Sequence, residues 1–93
     1  MMVAVNDLQA RPVDPRDTTW EVWNPAFRVY FWRSLDGSWM SREFEISGGD
    51  VVAVLAWAAE HAEDGETYTL HCVVEAPDGT GLVRLTGEDP TRT

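Results

Sequence analysis

Asp36-Gly37 is the tightest constraint on how this 93-residue chain can fold. The dipeptide suits a two-residue hairpin turn, where both central residues take φ > 0. It lies between two runs rich in aromatic and β-branched residues, 26–34 and 38–46, which read as strands. The turn also sets a register: Ser34 faces Trp39, Trp32 faces Ser41, Tyr30 faces Glu43, and Arg28 faces Glu45. Side chains alternate along each strand, so the hairpin has two distinct faces.

One face carries Phe27, Val29, Phe31, Phe44 and Ile46, with Arg33, Met40 and Arg42 toward the tip; it reads as core. The other carries Arg28, Tyr30, Trp32, Trp39, Ser41, Glu43 and Glu45. Three large rings among polar groups need cover from the N-terminal arm, from curling of the sheet, or from another molecule. Tyr and Trp are enriched at binding surfaces. Tyr30, Trp32 and Trp39, with Arg28, are therefore the expected partner- or ligand-binding residues. The concentration is unusual, since eight of ten aromatic residues fall between Trp20 and Phe44.

Beyond the hairpin, Ser47-Gly48-Gly49 breaks the sheet and Asp50 is a helix N-cap. A helix is expected from Val51 to about Asp64, with Gly65 as its C′ glycine. Residues 51–59 include no polar side chain, so such a helix is normally covered on more than one side. Strands are expected over 67–75 and 80–86, separated by Pro77-Asp78-Gly79, and Thr18–Trp23 reads as a first strand. The order β-β-β-α-β-β implies an α+β fold: an antiparallel sheet of four or five strands with one helix on one face. Residues 1–17 read as an N-terminal arm in which 2–5 have the character of a short edge strand. Residues 18–87 form the domain and 88–93 a tail.

The net charge is −9, and residues 47–66 contribute −5 of it. An acidic chain is a poor ligand for nucleic acid or an anionic membrane. Glu60, Glu63, Asp64 and Glu66 crowd the negative end of the helix dipole and form an acidic patch suited to a basic partner. Arg33 and Arg42, near the hairpin tip, could grip an anion, or meet the acidic helix end. No apolar run is long enough to span a membrane, and no signal-peptide pattern opens the chain, so a cytoplasmic protein is expected. Cys72 is the only cysteine and reads as core. His71 and Cys72 are adjacent on a strand and point to opposite faces, which disfavours a shared metal. No catalytic residue, metal site or cofactor is called for.

These features predict a small non-enzymatic protein-interaction module, inhibitor- or immunity-like, or a self-associating homodimer. The alternative is a small-molecule binder or small enzyme with an aromatic-lined half-barrel pocket.

Overall fold

A computed structural model describes residues 8–92. A 3-10 turn at Pro15–Asp17 precedes the strands β1 (Phe27–Leu35) and β2 (Ser38–Ile46), the helix α1 (Val51–His61), and the strands β3 (Thr67–Ala76) and β4 (Gly79–Thr86). The sheet order is β2-β1-β3-β4, and every pairing is antiparallel. The fold is α+β with one helix, as the sequence predicts. The hairpin pairs in the predicted register from Phe27 opposite Ile46 to Leu35 opposite Ser38. Asp36 and Gly37 supply the two positive φ angles, 52° and 80°.

Thr18–Trp23 departs from expectation. It is exposed, irregular chain. Strand propensity needs an edge to pair with, and β1, the strand this segment leads into, already has β2 on one side and β3 on the other. Pro25, which has no N–H to donate, closes the segment. Only Ala26 extends the ladder, its carbonyl accepting from Val73 N at 2.9 Å. The edge strand considered for residues 2–5 lies outside the described residues.

The helix begins as expected, with the Asp50 carboxylate accepting from Ala53 N at 3.0 Å. It ends at His61, three residues early, because Ala62 turns to an extended conformation. Gly65 (φ 82°) is therefore not its C′ residue. It lies in a tight turn closed by Glu66 N donating to Glu63 O at 3.0 Å.

Order within the sheet dictates where the helix lies. β2 and β3 flank β1, so the connection between them must cross β1, and α1 rests there. Phe27, Val29 and Phe31 of β1 pack with Val54 and Ala58 of α1 and Leu70 of β3, supported by Ile46, Leu55, Trp57, Ala62 and Tyr68. Phe31 lies at the centre, its ring 5.8 Å from those of Phe44 and Trp57 and 6.1 Å from that of Tyr68. Phe44, expected in the core, stays partly exposed on edge strand β2.

Candidate functional site

The three rings expected to form a binding surface are not equivalent. Trp32 is only 8% exposed, and its Nε1 donates to Thr69 Oγ1 at 3.1 Å. Tyr30 is half-buried, its ring 6.0 Å from that of Trp32 and 5.2 Å from that of His71. Trp39, near the hairpin tip, is 47% exposed. Arg28 donates to Glu45 at 3.2 Å, the cross-strand pair predicted from the register. The proximity of the Tyr30 hydroxyl and of Glu45 raises the Arg28 pKa above its ordinary value.

Part of this face is covered by a segment that sequence reasoning overlooked. The chain after β4 turns back, and Gly87, Glu88, Asp89 and Arg92 join Tyr30, His71, Leu82 and Arg84 around an open cleft of about 650 Å³. Arg84 anchors this return by donating to Gly87 O at 2.8 Å. Asp89 accepts from the Thr91 hydroxyl and backbone N–H; these bonds, with Arg92 and His71 nearby, hold its carboxyl below the usual range. His71 Nδ1 is shielded and has no hydrogen-bond partner. Of the four predicted binding residues, only Tyr30 lines this cleft.

Burial of the Trp32–Thr69 hydrogen bond yields a first prediction. Thr69 is fully buried, so Thr69→Val leaves the indole N–H unpaired in a dry site. The expected loss is about 1–3 kcal/mol, measurable by urea denaturation. Thr69→Ser keeps the hydroxyl and is expected to recover most of the hydrogen-bond contribution.

The acidic helix end and the two arginines are brought together. Arg42 grips Glu66 with two bonds, 2.9 Å from Nε and 2.8 Å from a terminal nitrogen. It also donates to the last helical carbonyl, His61 O, at 3.2 Å, and its guanidinium lies 4.8 Å from the centre of the Phe31 ring. Arg33 donates to Glu63 at 3.0 Å. A cation thus sits where the helix dipole is negative, which offsets the cost of the acids around it. Glu63 and Glu66 are committed internally; Glu60 and Asp64 are exposed.

Glu66 has a side chain 2% exposed. Arg42, with help from Glu63 N, holds its carboxyl down at about 2 from an ordinary 4.5. Since the folded-state value is the lower one, this contribution is fully present above pH 4.5 and lost as pH falls toward 2. Arg42 is about one-third exposed, so solvent screening reduces the pair's worth. Glu66→Gln is expected to lower the Tm at neutral pH and to flatten the acid limb of a Tm-against-pH profile.

The remaining apolar surface lies on the helix side. Four strands span roughly 19 Å, and a helix covers about 10 Å. With α1 seated over β1 and the first half of β3 (Tyr68 and Leu70), the second half of β3 and β4 have no helix above them on that face. There Cys72 and Val74 of β3, both half-buried, lie beside Val83 and Gly81 of β4. Val83 and Leu85 are exposed. Leu85 is the residue skipped where the β3–β4 register shifts.

Bordering this floor, Trp20, Val22 and 24–26 face Cys72–Glu75 across a mainly apolar cleft of about 520 Å³. Trp20 is 70% exposed and Trp23 82%. The outer stripe of α1 is apolar as well: Val52 (69% exposed), Ala56 and Ala59. The polar-free run 51–59 and the position of Trp20 and Trp23 in the aromatic window were the available signals for this surface. Its location required the sheet order.

Among the described residues no three His, Cys, Asp or Glu side chains gather as a metal site, and no helix is long and apolar enough to cross a membrane. Compared with protein-family models, curated proteins and solved structures, the chain matches none.

Proposed function

We propose that this protein is a small non-enzymatic interaction module that docks another protein surface on the helix-side face of β3 and β4. The observation that carries the reading is the off-centre helix. It leaves Val83 exposed and Cys72 and Val74 only half-buried, beside an arm whose Trp20 and Trp23 face solvent. Exposed apolar patches with aromatic anchors are characteristic of protein-binding surfaces. The acidic end of α1 supplies only modest steering toward a basic partner, because Glu63 and Glu66 are already held by arginines.

Photo-crosslinking tests the reading. Val83→p-benzoylphenylalanine and Trp20→p-benzoylphenylalanine are expected to yield protein adducts on irradiation in cell extract. The same probe at Trp39 is expected to yield none. Adducts from position 39 alone would move the contact to the hairpin tip and sink the proposal.

A second reading, small-molecule binding, is favoured by the cleft on the opposite face and by the unpartnered, shielded Nδ1 of His71. Arg84 and Arg92 on its rim favour an anionic ligand with a planar group to lie against Tyr30. A thermal-shift screen of small anionic aromatic compounds is expected to give a stabiliser whose effect is lost in His71→Phe. A blank screen counts against this reading.

A further inference from the structure

We infer that the cleft beside the C-terminal return takes a free aromatic amino acid, with its carboxylate on Arg84 and its ammonium on Asp89. The inference rests on the small-molecule reading above and adds to that ligand a second, opposite charge. It starts from four charged groups around one floor: Arg84 and Arg92, Glu88 and Asp89. Elsewhere in the molecule arginines close on acids, Arg28 on Glu45, Arg33 on Glu63 and Arg42 on Glu66. Around this cleft, among the described residues, no such pair forms. Both signs are left available to a bound molecule, and a zwitterion is the ligand that uses both.

The carboxylate half has a precedent within the structure. Arg42 grips Glu66 through Nε and Nη2. Arg84 spends Nη1 on Gly87 O at 2.8 Å, which leaves the same Nε–Nη2 edge to hold a carboxylate by two parallel bonds. His71 is the cross-strand partner of Arg84, and its shielded Nδ1 has no hydrogen-bond partner. A carboxylate held at Arg84 lies beside that imidazole.

The ammonium half is supplied by Asp89. Both bonds from Thr91 end on Oδ1, at 2.8 Å from the N–H and 2.6 Å from the hydroxyl, so Oδ2 remains to accept from a ligand. The same bonds hold the carboxyl below its usual range, which keeps it ionised at neutral pH. Asp89 is half-buried and has His71 and Arg92 nearby, which sets the acceptor close to the donors. Glu88, exposed on the same rim, adds a second negative charge. Tyr30 and Leu82 give the floor its apolar part. The Tyr30 ring meets that of Trp32 at 64° and that of His71 at 53°, so neither lies flat against it, and a planar ligand side chain has a ring to stack on. The volume, about 650 Å³, is within the range of small-molecule sites. Arg84 belongs to the sheet and Asp89 to the return, so a ligand that bridges them fastens the return to the sheet.

The test is an NMR titration of the purified chain with three probes that share a phenyl ring: L-phenylalanine, 3-phenylpropionate, which lacks the ammonium, and phenethylamine, which lacks the carboxylate. L-phenylalanine is expected to bind roughly ten- to hundredfold more tightly than either, the worth of one charge-assisted hydrogen bond. Shifts should centre on Tyr30, His71 and residues 87–89, and hydrogen exchange at 87–92 should slow. Asp89→Asn keeps Oδ1 for Thr91 and removes the charge. It should erase the advantage of L-phenylalanine over 3-phenylpropionate and leave 3-phenylpropionate binding unchanged. The comparison of probes on the unaltered chain decides the matter even where the variant disturbs the return. 3-Phenylpropionate binding as tightly as L-phenylalanine overturns the zwitterion and leaves the anionic small-molecule reading standing. Phenethylamine as the tightest of the three overturns both. Shifts centred on Trp20 and Cys72 place the ligand in the other cleft and overturn the inference. No binding by any of the three also overturns it, and the broader screen above then decides the small-molecule reading alone.

Discussion

Phe31→Ala is expected to remove a large share of the protein's stability. The Phe31 side chain is fully buried, meets the rings of Phe44, Trp57 and Tyr68, and lies under the Arg42 guanidinium. Its removal opens a cavity where β1, β2, β3 and α1 converge, at an expected cost of about 3–5 kcal/mol. A domain of this size has about 5–15 kcal/mol in total. Loss of the ring also removes the platform that orients Arg42 toward Glu66. The urea midpoint should therefore drop by about a fifth of its value or more, as that ratio sets. Trp39→Ala, at an exposed tip position, should stay within about 0.5 kcal/mol of wild type. A midpoint for Phe31→Ala near that of Trp39→Ala would refute the proposed centre of the core.

Gly87→Ala is the second change with a large expected effect. Gly87 has φ 89°, and a Cβ there would collide with the Tyr68 carbonyl oxygen and the Thr69 Cα. The obstacle is backbone of the central strand β3, which cannot yield as a flexible side chain could. Strain at a positive φ, about 1–3 kcal/mol, adds to the overlap, so the expected result is that residues 87–92 lift away from the sheet. Hydrogen exchange should then accelerate in this segment. Gly81→Ala is the matched control. A Cβ at Gly81 meets nothing nearer than Val74 O at 3.9 Å, so its exchange pattern should resemble that of the parent chain. Unchanged exchange at 87–92 in Gly87→Ala would show that the return of the chain over β3 does not depend on this close approach.

Both substitutions act where the legibility of the sequence changes. Phe31 was readable as core because Asp36-Gly37 sets the register, and a register assigns every hairpin side chain to a face. The Arg28–Glu45 pair follows from the same rule. Gly87 was not readable in this way. Nothing local in Gly87-Glu88-Asp89 announces that the chain turns back over β3, because the constraint is a contact with Tyr68 and Thr69, eighteen or more residues earlier in the chain. The same holds for Trp32. Alternation placed it on an amphipathic face beside Tyr30 and Trp39, yet it is buried and bonded to Thr69 across the neighbouring strand. The strand expected at Thr18–Trp23 failed for a related reason: propensity is local, but a strand exists only where an edge is free to pair.

Local chemistry in the sequence determined the elements themselves. Turn residues, the Asp50 cap, two-residue alternation and a polar-free helical run marked the four strands and one helix that form, the hairpin register and the apolar faces, along with a strand at Thr18–Trp23 that does not form. Tertiary structure alone decided which of those faces is covered. β3 pairs with β1 rather than β2, so α1 must cross β1, and β4 is added beyond its reach. That pairing leaves Val83 exposed and Cys72 half-buried on one side of the sheet, and the returning C-terminal segment closes over part of the other. Strand order depends on contacts between residues distant in the chain, and no local pattern in this sequence encodes them.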